Sequence, residues 1–409
     1  MTSFLQLAFL LSVILLSAKL AGYLSVFLGQ PSVLGELLVG ILLGPSLLDL
    51  LHLPFIDPAI SHILSELAEL GVLLLMFLAG MELHLNDLVR SLRPSLFAGG
   101  LGVILPLALG WAIGPFFGMD PASSLFLGLV LGATSVSISA QTLIELKVLR
   151  SRVGLGLLGA AVFDDILVIL LLSVFLALQT GGGNLMQLSL IVVRMFAFLA
   201  LSIAVGVWVI PWLLRRIARL PISQGVVTLA LVVMLAYGMA AELLGGMAAI
   251  TGAFLAGLMT ARSSERERVE TGMHALAYAL FVPLFFVNIG LAVDLRDLPA
   301  EAYLLALVII LAAVIGKWLG AGLGARLGGL SLRESAQLGA GMISRGEVGL
   351  IVASVGIREG LVSGTEFSAI VAMVLATTLI TPPILRALFS GGKPRPATSE
   401  PELPLEETS

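Results

Sequence analysis

Long apolar runs separated by short polar breaks repeat from one end of the chain to the other. Most reach about 20 residues, the length a helix needs to cross the hydrocarbon core of a bilayer. Breaks at Pro, Gly and charged residues divide the chain into thirteen candidate spans, at 4–28, 33–51, 64–83, 95–117, 122–145, 153–178, 186–213, 223–244, 246–261, 274–293, 300–325, 333–357 and 364–389. In lipid a spanning segment must satisfy its backbone groups within itself, so each run reads as a helix and the chain as an all-α polytopic membrane protein. Met1 to Leu28 carries no charge at its start and no small-residue cleavage site before Gly29, which marks a retained span rather than a signal peptide. From Gly391 the chain is rich in Pro and Glu, and 391–409 is expected to be a disordered cytoplasmic tail.

Composition agrees with lipid as the main solvent. Apolar types make up 58% of the 409 residues and charged types 12%, where a soluble protein carries roughly 25% charged residues. Lys and Arg are few and scattered, which leaves nucleic-acid binding without support. There are no cysteines and four scattered histidines, so disulfides, thiolate chemistry and cysteine-based metal sites are excluded and no cofactor is indicated. The basic residues also orient the chain. Sixteen of them, among them Arg90, Arg93, Lys147, Arg215, Arg262, Arg326, Arg386, Lys393 and Arg395, fall in loops on one side, against Arg296 and Arg358 on the other. The positive-inside rule then puts the N-terminus outside and the C-terminus in the cytoplasm. That arrangement demands an odd number of spans, as thirteen is.

A weak internal repeat runs beneath this pattern. GMELHLNDL at 80–88 closes span three and GLAVDLRDL at 290–298 closes span ten; Gly35 and Gly40 of span two match Gly252 and Gly257 of span nine. Both pairings are offset by seven spans, so the two halves face opposite ways. Inverted repeats of this kind, with sites near the bilayer midplane on broken helices, are common in secondary transporters. Chance similarity between apolar segments is the competing explanation.

Few ionisable residues remain inside the spans: Lys19, Glu36, Asp164, Asp165, Arg194, Glu242, Lys317, Arg345 and Glu347. A charge at the bilayer centre costs at least about 2.5–3.5 kcal/mol, so such groups need a partner or a polar cavity. Asp164 and Asp165 lie near the middle of span six. Neighbouring helix positions point about 100° apart, so the two carboxylates cannot chelate one ion as a pair; this suggests a division of labour, one facing a cavity and the other a neighbouring helix, and the alternative is that both are buried and satisfied by hydroxyls or a lysine. Lys317, deep in span eleven within AAVIGKWLGAGLG, is the natural partner, unless it snorkels to the interface. Span five carries the hydroxyls Thr134, Ser135, Ser137 and Ser139 at mid-membrane, after Gly132. Such a run suggests a locally unwound segment lining a cavity, whose oxygens suit a hard monovalent cation; hydroxyls bonding back to the preceding turn are the alternative. In span twelve Arg345, Gly346 and Glu347 interrupt an apolar stretch at the position the repeat pairs with span five. Two crossing broken helices would gather four half-helix ends, and Arg345 and Glu347 would compensate their dipoles, line a cytoplasmic funnel, or form a structural ion pair. Glu36, Glu242 and Lys19 lie near span ends and read as packing or interfacial groups, and Arg194 lies near the outer end of span seven.

With these residues in view the chain resembles the bacterial cation:proton antiporters of the NapA and NhaA type, and its pattern is nearer the NapA type. The motifs are PSVLGELLVGILLGP at 31–45, ATSVSISA at 133–140, GAAVFDDI at 159–166, ELLGGMAAITGAFLAG at 242–257 and GMISRGEVGLIVA at 341–353, and the similarity covers 1–390. The double acid with a mid-membrane lysine is the most specific of them. The resemblance implies that Asp165 takes either the cation or a proton, and that Asp164 pairs with Lys317 and releases it when the ion arrives. It implies that Thr134 with nearby backbone completes the site. It also implies a dimerisation subdomain at 1–90 and 223–298, an ion-transporting core at 94–178 and 299–389, a linker helix at 185–215, and a homodimer in the bacterial inner membrane. Sodium for protons, by electrogenic alternating access, is the implied exchange, with lithium or potassium as other cargoes. Potassium-exporting relatives often carry a nucleotide-binding domain after the last span and an amide in place of the first acid. Here no Gly-rich dinucleotide fingerprint follows span thirteen and Asp164 is an acid, so no nucleotide regulation is expected.

Two other classes fit less well. An intramembrane aspartyl protease needs carboxylates on different helices sharing a proton, which adjacent aspartates do not supply. A passive cation channel favours several weak sites over one deep carboxylate.

Overall fold

The structure, a computed structural model, describes residues 2–82, 91–179, 185–291 and 302–390. Arg90, Arg296, Lys393, Arg395, the tail from Gly391 and most of the motifs at 80–88 and 290–298 lie outside the described residues. Every regular element among the described residues is helical. In chain order they are α1 (Ser3–Phe27), α2 (Ser32–Leu43), α3 (Pro58–Met81), α4 (Leu92–Ile113), α5 (Pro121–Gly132), α6 (Val136–Glu145), α7 (Arg152–Gln179), α8 (Leu185–Ile217), α9 (Gly225–Ala240), α10 (Ala249–Thr260), α11 (Arg266–Leu276), α12 (Val282–Leu291), α13 (Ala302–Leu327), α14 (Leu332–Gly341), α15 (Glu347–Arg358) and α16 (Gly364–Phe389), with short 3-10 and π turns between some of them. Ten stretches are long and apolar enough to cross a membrane, and the shorter α2 and α10 are apolar as well.

The ends of these elements follow local chemistry. Asp120 precedes α5 and accepts the Ser123 N–H at 2.6 Å, a bond that holds its carboxyl below the ordinary carboxylate range. Ser331 and Ser363 open α14 and α16 with capping boxes to Glu334 and Glu366. Two boundaries differ from those read in the sequence. Span two was expected to run to 51, but its helix stops at Leu43, because Gly44 and Pro45 follow and the residue before a proline disfavours helical backbone. Span ten was expected to begin at 274, but its helix begins at Arg266: charged residues that look like a loop form the polar first turns of α11, which runs through a π turn at Ala277–Phe281 into α12.

Packing sorts the helices into two groups. In one, α4 lies against α13, α5 and α7, and α13 against α14 and α16. In the other, α2, α3, α10 and α12 pack on one another, with α1 on α2 and α9 on α10. Helix α8 touches α7 on one side and α9 and α10 on the other.

The repeat is visible in this packing. A Cβ at Gly35 would strike the Ala21 carbonyl of α1, and one at Gly252 the Tyr237 carbonyl of α9. A Cβ at Gly40 would strike the Val287 carbonyl of α12, and one at Gly257 the Phe77 carbonyl of α3. Gly80 abuts Phe254 of α10 as Gly290 abuts Gly40 of α2. Exchanging the halves of the chain exchanges each contact for its counterpart. Such approaches are what helices without a hydrophobic driving force between them require.

Candidate ion site

Two spans are broken at mid-length. The helix from Pro121 stops at Gly132 and resumes at Val136, and the helix from Leu332 stops at Gly341 and resumes at Glu347. The breaks meet. The Ser135 N–H donates to the Ser344 carbonyl at 2.9 Å, and the Ser344 hydroxyl returns a bond to the Ser135 carbonyl at 2.5 Å. Ser139 donates to the Gly341 carbonyl at 2.5 Å, and Thr378 of α16 to the Arg345 carbonyl at 2.5 Å. Backbone freed by the breaks is thus satisfied inside the protein, one of the conditions under which irregular backbone is tolerated in a membrane. A side chain at Gly346 would run into Ser135, so this crossing has no room for one.

Arg345 occupies the crossing and is fully buried. Its guanidinium donates to the carbonyls of Leu131 at 2.7 Å, Ala313 at 3.2 Å, Met342 at 3.4 Å and Ile343. Leu131 ends α5, and Met342 and Ile343 follow the end of α14, so one cation serves the negative ends of two half-helices. The sequence offered Arg345 as a dipole-compensating group, a funnel residue or a member of an ion pair; in this structure it is buried on four carbonyls. The side chain of Glu347 lies outside the described residues.

Asp164 and Asp165 sit side by side on α7 and face different neighbours. Asp164 and Lys317 are both 0% exposed, and Lys317 Nζ donates to Asp164 Oδ1 at 2.5 Å. The second carboxylate oxygen, Asp164 Oδ2, has no hydrogen-bond partner among the described residues. Lys317 is held by α13, one turn beyond the Ala313 carbonyl that Arg345 uses. Asp165 is 7% exposed and borders a cavity of about 10 Å³ lined by Met76, Val136, Leu158, Val162, Ile250, Thr251 and Phe254. That is on the order of one water-sized sphere. The lining comes from α6, which touches both packing groups, from α7 of the first and from α3 and α10 of the second.

The remaining candidates fall nearby in part. Thr134, in the first break, is buried and its hydroxyl has no partner among the described residues. Ser135 and Ser137 share a hydrogen bond of 3.1 Å. Thr251 is a polar neighbour of Asp165 that the sequence reading missed; its one signal was a lone hydroxyl inside the apolar MAAITGAFLAG at 247–257. Glu36, read as a packing or interfacial group near a span end, is 6% exposed and lies against α1 at Gly22. Arg194 donates to the Leu243 and Leu244 carbonyls, each at 2.5 Å, tying α8 to the end of α9. No cluster of His, Asp and Glu that could hold a multivalent metal occurs among the described residues.

A helical membrane protein with two broken spans crossing beside a buried acid–lysine pair has the build of a secondary ion transporter. The chain belongs to the sodium/hydrogen exchanger family of transmembrane proteins, whose family model matches residues 13–391. The resemblance to cation:proton antiporters drawn from the motifs therefore holds at the level of the family. Among its relatives is the Na(+)/H(+)-K(+) antiporter GerN of Bacillus cereus, 42% identical over 382 residues that cover 93% of this chain and 96% of the relative. The Na(+)/H(+) antiporter of Enterococcus hirae is 37% identical over 379 residues, covering 92% and 96%. A solved structure of the sodium proton antiporter MjNhaP1 from Methanocaldococcus jannaschii has a TM-score of 0.67 at 18% identity, over 95% of this chain and 98% of that one. That last likeness is one of fold.

Proposed function

We propose that the chain exchanges a monovalent cation, sodium first, for protons, and that Asp165 carries both. The observation behind this reading is the division of the two aspartates: Asp164 is bound to Lys317, while Asp165 borders the cavity between the packing groups. Four ionisable side chains meet here, two acids and two bases, all within a tenth of full burial. With Asp165 ionised their charges cancel, so a sodium ion or a proton on Asp165 adds the same single charge. Only one of them fits on the carboxylate at a time, and that competition couples the two fluxes. Thr134 and Thr251 are the hydroxyls placed to complete a hard-oxygen site. Lithium would fit the same donors, and the doubled name of GerN favours a test with potassium as the second cargo.

The wider reading follows from the same frame. Thirteen spans arise when α5 with α6, α11 with α12, and α14 with α15 each count as one, with α2 and α10 included. The N-terminus is then outside and the C-terminus in the cytoplasm of a bacterial inner membrane. The group around α4, α7 and α13 is the moving core. The group around α2, α3, α10 and α12 is the dimerisation subdomain of a homodimer, and α8 is the linker. The core slides against the subdomain and opens Asp165 to one side at a time. The electrogenic exchange of two protons for one sodium uses Asp165 for one and the Asp164–Lys317 pair for the other.

The test is proton efflux from acid-loaded proteoliposomes holding the purified protein, followed with a lumenal pH dye as sodium is added outside. Saturable alkalinisation is expected. A response to potassium alone would change the cargo, and silence to both ions would overturn the reading.

A further inference from the structure

The cavity beside Asp165 lies in the seam between the two packing groups, and among the described residues that line it Thr251 alone is also polar. Thr251 is 3% exposed and stands on α10, across the seam from α7. Two glycines fix the helix that carries it. α10 lies so close to α9 at Gly252, and to α3 at Gly257, that a Cβ at either would strike a backbone carbonyl. Turning α10 about its axis would drive side chains into those contacts, so Thr251 keeps its place on the cavity wall.

A buried threonine in a helix commonly returns its hydroxyl to the carbonyl four positions back. Thr142, Thr377 and Thr381 do so, to Ile138 at 2.8 Å, Met373 at 2.9 Å and Thr377 at 2.7 Å. Thr251 is the third residue of α10, and the carbonyl four back belongs to Met247, before the helix begins. Among the described residues it makes no such bond, which leaves the hydroxyl available at the cavity. Packing does not call for a hydroxyl here either. The repeat that pairs Gly252 with Gly35 pairs Thr251 with Leu34, so the other half fills the matching place with an apolar side chain.

We propose that Thr251 determines ion selectivity: its hydroxyl is the oxygen against which Asp165 carries a cation across the seam, supplied by the group of helices that stays in place. A cavity on the order of one water-sized sphere admits an ion only after it has shed most of its water, and fixed oxygens must then replace the lost shell. The apolar side chains on the wall offer none. A proton on Asp165 leaves a neutral carboxyl, which needs no such oxygen. The hydroxyl therefore lowers the barrier to the cation-loaded crossing and changes the proton-loaded crossing little. By Born solvation the smaller ions lose most on dehydration, so sodium and lithium gain more from it than potassium. The inference deepens the antiport reading and rests on it, and on the movement of the core against α10.

Self-exchange of labelled sodium in proteoliposomes isolates the cation-loaded crossing, because sodium and pH are equal on the two sides and no proton need return. Thr251→Val keeps the branched shape and removes the oxygen. Its maximal self-exchange rate is expected to fall about tenfold, the size of one lost interaction with a charged group. The half-saturating sodium concentration should change less, since α10 supplies no ligand while the site stands open. Competition by potassium should strengthen relative to sodium in the same variant. Thr251→Ser restores the oxygen and is expected to recover most of the rate and the ion preference. A merely structural threonine predicts a lower thermal midpoint with the ion preference unaltered. Undiminished self-exchange in Thr251→Val, an equal loss in Thr251→Ser, or a wild type that takes potassium and not sodium would overturn the proposal. If Thr251→Val does not fold, Thr251→Ala takes its place with the same expected losses. A wild type silent to sodium and potassium alike would overturn the antiport reading and this inference with it. An active wild type matched by an active Thr251→Val overturns this inference alone.

Discussion

The two halves of the chain pack alike and differ in chemistry. Gly35, Gly40 and Gly80 in the first half make the backbone approaches that Gly252, Gly257 and Gly290 make in the second. Each half also breaks one span, and the breaks bond to each other. The charges do not repeat. The first half carries Asp164 and Asp165 on α7, whereas α16, seven spans later, carries Thr377 and Thr378 at a similar distance from its start. The second half supplies the bases instead, Lys317 on α13 and Arg345 in the second break. Close helix packing in lipid depends on small residues at fixed places, so both halves keep them. The acids of the proposed site therefore sit in one half and its bases in the other, an arrangement that two chemically symmetric halves would not give.

The largest effect should come from erasing that asymmetry at its centre. Asp165→Asn gives α7 a neutral residue where α16 has a threonine, and it leaves the Asp164–Lys317 pair untouched. Sodium-driven exchange in proteoliposomes is expected to fall to the level of empty vesicles, while thermal unfolding in detergent stays near that of the wild type. Retained exchange would show that the two halves are functionally equivalent at this position.

Next comes the pair across the halves. Lys317→Met strands a fully buried carboxylate, and breaking such a pair costs about 3–5 kcal/mol. The thermal midpoint should drop accordingly. The double variant Asp164→Asn with Lys317→Met removes both charges and should regain most of the loss, because a neutral pair of similar volume carries no desolvation penalty. A double variant no more stable than Lys317→Met would mean that the lysine acts through packing alone.

These tests concern contacts whose legibility in the sequence was uneven. The spans were readable because lipid imposes length and apolarity residue by residue, and the break in span five announced itself as Gly132 followed by four hydroxyls. The glycine matches between spans two and nine were readable as letters, though not as contacts. What the sequence concealed depends on how each helix is rotated. Thr251 borders the same cavity as Asp165, and Glu145 reaches Ser32 across more than a hundred positions; neither follows from spacing along the chain. Glu36 read as a packing or interfacial group because it stands near a span end, and spacing along the chain does not say which of the two it is. Arg345 looked equally suited to a funnel and to a crossing, since a charge in an apolar run does not say which carbonyls it will meet.

The shared packing of the halves can be weighed by matched substitutions. Gly40→Ala and Gly257→Ala each push a methyl into a backbone carbonyl, of Val287 and Phe77 respectively, and overpacking of this kind costs about 1–3 kcal/mol. If the repeat is a structural equivalence, the two variants should lower the thermal midpoint by similar amounts. A large loss in one and none in the other would mean that the matched glycines do different jobs.

The smallest effects should come from the crossing of the breaks, where hydroxyls of both halves satisfy carbonyls of the other. Ser139→Ala removes the hydroxyl that donates to the Gly341 carbonyl, and Ser344→Ala the one that donates to the Ser135 carbonyl. Each is expected to cost about 1–3 kcal/mol at most, toward the lower end where water can enter and take up the bond. Their effects should not add, because the two hydroxyls lie 3.3 Å apart and belong to one network, in which coupling between neighbours is the rule. Thermal midpoints of the singles and the double give the coupling directly. Strict additivity would mean that the two breaks are held separately, and the crossing would then be two independent kinks that happen to touch.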